Sequence, residues 1–262
     1  MANKKAISST KKSTHTEPRA TKSTLTMLDT VKPYLPLIGA LAAEFVGTFL
    51  LVASTFAVQG QPLFVAFALI GIILIVSGVT NVQLNPAMTI GALVTKKVKP
   101  IYAIGYIIVQ LLGATTAWFV LGAFLAGSTT TASATSTQLF HAATMTDGKQ
   151  WYIFFAELLG SVILALGIAT AMKSKDRVIS AVSYGFSLLV AILIAGSATA
   201  VFLTESNTTL TFLNPATAIA ANAIDFKNAT WTIATYLAAP IIGAIIGFAL
   251  RDLLSYKVKE NK

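Results

Sequence analysis

Four polar side chains stand inside long apolar stretches of this chain: Asn85, Asn214, Glu44 and Glu157. Each asparagine opens the same tripeptide, Asn85-Pro86-Ala87 and Asn214-Pro215-Ala216. Pro is tolerated at a first helical position, because its missing N–H would have no partner there, and the Asn before it can cap the helix. The chemistry open to the asparagines is uncharged hydrogen bonding, since a carboxamide has two N–H donors and one carbonyl acceptor. A glutamate at membrane depth either carries protons or accepts hydrogen bonds from backbone N–H groups that lipid would leave unpaired. The scaffold role is the expectation for Glu44 and Glu157. Covalent and metal chemistry find little footing. There is no cysteine, and the two histidines, His15 and His141, form no imidazole cluster. With no nucleophile–base pair and no phosphate-binding glycine loop, neither an enzyme nor a metal or cofactor is expected.

The elements that must position these groups are set by hydropathy. Of 262 residues, 55% are hydrophobic and 11% charged, which points to an integral membrane protein. The runs opened by the tripeptides, Leu84 to Val94 and Leu213 to Ala223, are roughly 15 Å long if helical, half of a bilayer core of about 30 Å. Neither spans a membrane alone. Six longer runs do: Pro36 to Val58, Leu63 to Val82, Ile101 to Ala123, Trp151 to Met172, Ile179 to Leu203 and Trp231 to Leu253. Gly127 to Gln150 reads as a long external loop, and Met1 to Lys32, rich in Lys, Ser and Thr, as a disordered tail. With the tail inside, 17 of the 19 basic residues fall on the inner side and only Lys149 and Lys227 outside. Topology therefore accounts for the net charge of +9, and no nucleic-acid partner is expected.

The chain also repeats itself. Ala43-Glu44-Phe45-Val46-Gly47-Thr48 matches Ala156-Glu157-Leu158-Leu159-Gly160-Ser161, and the stretch from Tyr106 through Gln110 to Gly113-Ala114 matches that from Tyr236 through Pro240 to Gly243-Ala244. Each half holds three spans and one half-helix. An odd number of spans inverts the second half, so the two half-helices enter from opposite faces and their N-termini meet near the midplane. Irregular backbone at that depth must be buried in protein or line a water-filled path. Gly47, Gly113, Gly160 and Gly243 are expected to be close helix contacts.

These motifs together resemble the aquaporin, or major intrinsic protein, family over about residues 36 to 253. The resemblance implies an all-α membrane protein of six transmembrane helices plus two re-entrant half-helices, with halves at about 36–123 and 151–253. It also implies a passive channel for water or small uncharged solutes such as glycerol and a homotetramer; the division of basic residues puts both termini in the cytoplasm, and a plasma-membrane location is expected. Domain bounds are then a tail at 1–32, the channel at 33–254 and a second tail at 255–262. An alternating-access transporter using Glu44 or Glu157 is the rival reading. The family pattern assigns the pore to Asn85, Pro86, Ala87, Asn214, Pro215 and Ala216. It assigns a selectivity filter to Phe67, Ile192, Thr211 and Thr217, and loop support to Glu44, Glu157 and Gln83. Two departures stand out. Thr217 occupies the place of the family's usual arginine, and Thr80-Asn81-Val82-Gln83 replaces its frequent Ser-Gly-Ala-His.

Overall fold

The structure, a computed structural model, describes residues 29–76, 82–128, 139–145, 147–205, 208–225, 227 and 229–256. Contacts divide the chain into residues 1–36 and 37–262. In the first unit the described part is 29–36, which includes a 3₁₀ turn at Lys32–Tyr34. Most of both expected tails, with His15, Thr80 and Asn81, lies outside the described residues.

The described helices are α1 Leu35–Ala57, whose first two residues belong to the first unit, then α2 Pro62–Val76, α3 Pro86–Val94, α4 Pro100–Ser128, α5 Gln150–Ala171, α6 Arg177–Ala200, α7 Pro215–Ala220 and α8 Ala229–Leu254. Five of the described helices, α1, α4, α5, α6 and α8, are long and apolar enough to cross a membrane. Six were expected. The second, α2, is an apolar helix of 15 residues, and the expected remainder of its span, 77–81, falls outside the described residues. The expected loop at 127–150 begins later than the hydropathy suggests, because α4 runs to Ser128. It also carries a strand, β1 His141–Ala142, paired in parallel with β2 Thr208–Thr209.

The half-helices α3 and α7 are shorter than their apolar runs, with 9 and 6 residues. Backbone geometry trims them at both ends. Leu84 (φ 53°) and Leu213 (φ 56°) are left-handed just before each Asn, and Lys96 (φ 61°) and Asn222 (φ 57°) are left-handed just after each helix. The two C-termini close alike: Lys97 N–H donates to Ala92 O at 2.7 Å and Ala223 N–H to Ala218 O at 2.9 Å, the six-to-one bond of a Schellman cap.

Packing interleaves the halves. The half-helix α3 packs against α8, and α7 packs against α4. Gly91 makes the first contact possible, since a Cβ there would stand 2.9 Å from the Ala244 backbone. Gly113 lets α4 approach α1, where a Cβ would lie 2.5 Å from Phe45 O, and Gly243 does the same for α8 against Leu158 O of α5. Gly47 departs from the expectation of a helix contact, its missing side chain making room for the Leu84 side chain, while Gly160 makes room for the Leu213 side chain and also meets α6, where a Cβ would stand 3.0 Å from Ala195 Cβ. They are sockets for the two left-handed residues. Polar groups are collected inside, with Glu44, Gln110 and Glu157 fully buried, while Ile104, Ile108 and Leu112 of α4 are exposed. That inside-out distribution suits a lipid surround.

Gly113→Ala is therefore expected to cost about 1–3 kcal/mol by forcing α1 and α4 apart. Gly71→Ala, where an added Cβ meets nothing within 4 Å, is expected to leave stability unchanged. Thermal unfolding of the two variants in detergent measures the contrast.

Candidate functional site

The two half-helices meet through their caps. Asn85 Oδ1 accepts from Ala87 N–H at 2.9 Å and Met88 N–H at 3.4 Å, and Asn214 Oδ1 accepts from Ala216 N–H at 3.0 Å. Each carboxamide also reaches across to the other half. Asn85 Nδ2 donates to Leu213 O at 2.8 Å, and Asn214 Nδ2 donates to Leu84 O at 2.9 Å. One amide group thus satisfies an orphan N–H of its own helix and a carbonyl of the opposing loop. Each NH₂ has a second hydrogen beyond the one used in these bonds. Pro86, Ala87, Pro215 and Ala216 are buried in the first turns of the half-helices.

The carboxylates hold the backbone on which this junction depends. Glu44 accepts from Gln83 N–H at 2.5 Å, Leu84 N–H at 2.8 Å and Gln110 Nε2 at 2.8 Å. Glu157 accepts from Phe212 N–H and, at 2.9 Å, from Leu213 N–H. The two sites are parallel but unequal, because Pro240 stands where the first half has Gln110 and brings no side-chain donor. Gln110 Nε2 also donates to Thr89 Oγ1 at 2.9 Å, which ties α4 to α3. In α8, the missing N–H of Pro240 coincides with a π-helical turn at Ala234–Ala238. Tyr184 Oη donates to Val82 O at 2.6 Å and fixes the other end of the first loop.

A cavity of about 80 Å³ runs past both asparagines. Leu51, Leu164, Ile168 and Leu188 give it apolar walls, and Thr211, Thr217, Asn85 and Asn214 bring polar groups to it. Ile192 and Gln83 also line it; the Gln83 amide nitrogen lies 3.8 Å from Met172 Sδ. Thr211 Oγ1 is 2.8 Å from Thr199 Oγ1, so α6 steadies the segment before the second half-helix. Phe67 does not join this group. It is 55% exposed, with its ring edge-on to Phe186 at 6.5 Å. The lining residues of α2 are Val65 and Leu69, one helical turn apart, and Phe67 points about 200° away from Val65. The aromatic expected from α2 is absent from the wall for that reason. Phe140, from the connection before β1, lines the cavity instead. No periodicity marks Phe140, whose segment is tied in by the pairing of β1 with β2 and by Ala142 N–H donating to Ala221 O.

A narrow cavity within a helical membrane bundle, with hydrogen-bonding groups at the meeting point of two half-helices, fits a passive channel for water or small uncharged solutes. The chain belongs to the major intrinsic protein family, whose model matches residues 59–250. A relative, glycerol uptake facilitator protein-like 6 of Lactiplantibacillus plantarum, is 27% identical over 215 residues, covering 78% of this chain and 92% of that one. The X-ray structure of the aquaglyceroporin from Plasmodium falciparum shares the fold, with a TM-score of 0.61 at 19% identity over 82% of this chain and 96% of that one.

Proposed function

We propose that this chain conducts glycerol or comparably small neutral solutes together with water, down their gradients. The observation that carries the reading is Thr217, buried against the cavity in the first turn of α7. A threonine there gives a wider and less positive constriction than arginine does. Small polyols then meet less steric resistance, and pore diameter and lining donors set what passes. The names of the bacterial relative and of the malarial neighbour, a glycerol uptake facilitator-like protein and an aquaglyceroporin, are in line with this. Asn85 and Asn214 take the role of donors to the passing hydroxyl or water oxygen. The positive ends of α3 and α7, roughly half a charge each, oppose cations at the same point.

The protein acts in the plasma membrane as a homotetramer, one path per protomer, with both termini cytoplasmic. The division of basic residues supports that orientation. So does the clustering of Lys97 and Lys173 around Asp252, at 2.5 Å and 3.6 Å, at one end of the bundle. Coupled transport finds no support, because the glutamates it needs are engaged with the loop backbone.

Stopped-flow measurements on proteoliposomes with water, glycerol, urea and potassium test the substrate class. Wild type is expected to pass glycerol well above protein-free vesicles and potassium no faster than they do. Thr217→Arg is expected to lower glycerol flux roughly tenfold while sparing most water flux, since it narrows the path. Equal glycerol flux in the two proteins would remove Thr217 from the filter.

A further inference from the structure

We infer that Phe140, held at the cavity by the β1–β2 pairing, is a specificity-determining residue that sets the largest solute the channel admits. The inference rests on the channel reading above and adds to it a residue from outside the repeated halves. Three observations converge on Phe140. First, its side chain is only 5% exposed although it lies in the connection between α4 and α5, and it lines the same cavity as Thr211, Thr217 and Asn214.

Second, the ring is held from two sides. It lies 6.2 Å from the Phe56 ring. Its far edge fills the space over Gly60, where an added Cβ would collide with Phe140 Cζ. Gly60 is also left-handed, at φ 66°, a conformation that side chains rarely adopt. Both requirements point to glycine at this position, and its lack of a side chain is what lets the ring settle there.

Third, the backbone that carries Phe140 is tied to the segment that carries the filter threonine. His141 and Ala142 pair with Thr208 and Thr209. Ala143 N–H donates to Thr209 O at 2.8 Å, and Ala142 N–H donates to Ala221 O, just beyond α7, at 2.9 Å. Thr211 N–H in turn donates to Thr209 Oγ1 at 3.0 Å. The backbone next to Phe140 and the segment of Thr211 therefore belong to one hydrogen-bonded unit. A large rigid apolar face beside a hydroxyl is suited to a polyol, whose carbon edge packs on the ring while its oxygens turn to threonine and asparagine. A longer polyol must pass the same ring, so ring size limits length and girth.

The test compares glycerol, erythritol and xylitol flux in proteoliposomes carrying wild type, Phe140→Leu, Phe140→Ala or Phe140→Trp, normalised to inserted protein. Phe140→Ala is expected to raise the erythritol-to-glycerol flux ratio several-fold, Phe140→Leu to raise it less, and Phe140→Trp to lower it. Should Phe140→Ala fail to insert, the ratio in Phe140→Leu decides: an increase supports the inference and an unchanged ratio overturns it. Unchanged ratios in all variants, with glycerol flux intact, overturn the role of Phe140 and leave the channel reading standing. No flux above protein-free vesicles in any of the four proteins overturns both.

Discussion

Glu157→Ala is expected to abolish solute flux and to lower the thermal stability of the protein markedly. The carboxylate accepts the N–H groups of Phe212 and Leu213, both at buried positions. Each buried donor left unpaired costs about 1–3 kcal/mol, so the pair costs about 2–6 kcal/mol, a large share of the 5–15 kcal/mol typical of a folded domain. The structural consequence is specific. Leu213 is left-handed, a strained state for a branched side chain, and it persists only where its surroundings fix it. Once it relaxes, Asn214 loses its place. Glu157→Gln separates this scaffold role from proton coupling. Glutamine keeps one acceptor oxygen and turns an NH₂ toward the other backbone donor, so a loss of about 1–3 kcal/mol is expected. Its remaining flux is expected to be indifferent to a pH gradient. A coupling carboxylate would give the reverse: normal stability with transport uncoupled from protons.

Asn214→Asp carries the second large effect. Aspartate keeps the cap to Ala216 N–H but has no hydrogen for Leu84 O, so a carboxylate oxygen faces a carbonyl where a bond of 2.9 Å stood. Neutral solute flux is expected to fall roughly tenfold or more, equivalent to about 1.4 kcal/mol, the scale of one lost hydrogen bond in the path. The added charge also offsets the positive ends of both half-helices, so potassium leak is expected to rise. Asn214→Ala loses cap and cross-bond together and is expected to destabilise the junction without admitting potassium. Flux of glycerol and potassium through the two variants, read beside each other, separates the electrostatic part of the junction from its structural part. Because Asn85 and Asn214 complete one junction, the double alanine variant is expected to cost less than the sum of the singles.

Most of this architecture was legible in the sequence because lipid leaves few choices. Any run near twenty apolar residues must be a helix, and any broken helix at that depth must have its backbone satisfied by protein. The repeat of Glu44 at Glu157 and of Asn85 at Asn214 then identified the groups available to satisfy it. Local geometry was less legible. The shortness of α7 depends on left-handed Leu213 and Asn222, and hydropathy does not register φ. The roles of Gly47 and Gly160 as sockets for leucine side chains depend on the same two loops. Phe67 shows the limit of family alignment: a displacement of two residues along a helix turns a side chain by about 200°, from the cavity to the outer face. Phe140 shows the converse, since its place at the wall comes from a long-range strand pairing in a segment of weak pattern.

The most direct test is reswelling of proteoliposomes carrying the wild-type chain after an inward glycerol gradient, recorded with and without proton and sodium gradients. The expected result is flux proportional to the glycerol gradient, far above protein-free vesicles and unaffected by either ion gradient. Flux that saturates at low glycerol and requires an ion gradient, or no flux above protein-free vesicles, would contradict a passive path between Asn85 and Asn214.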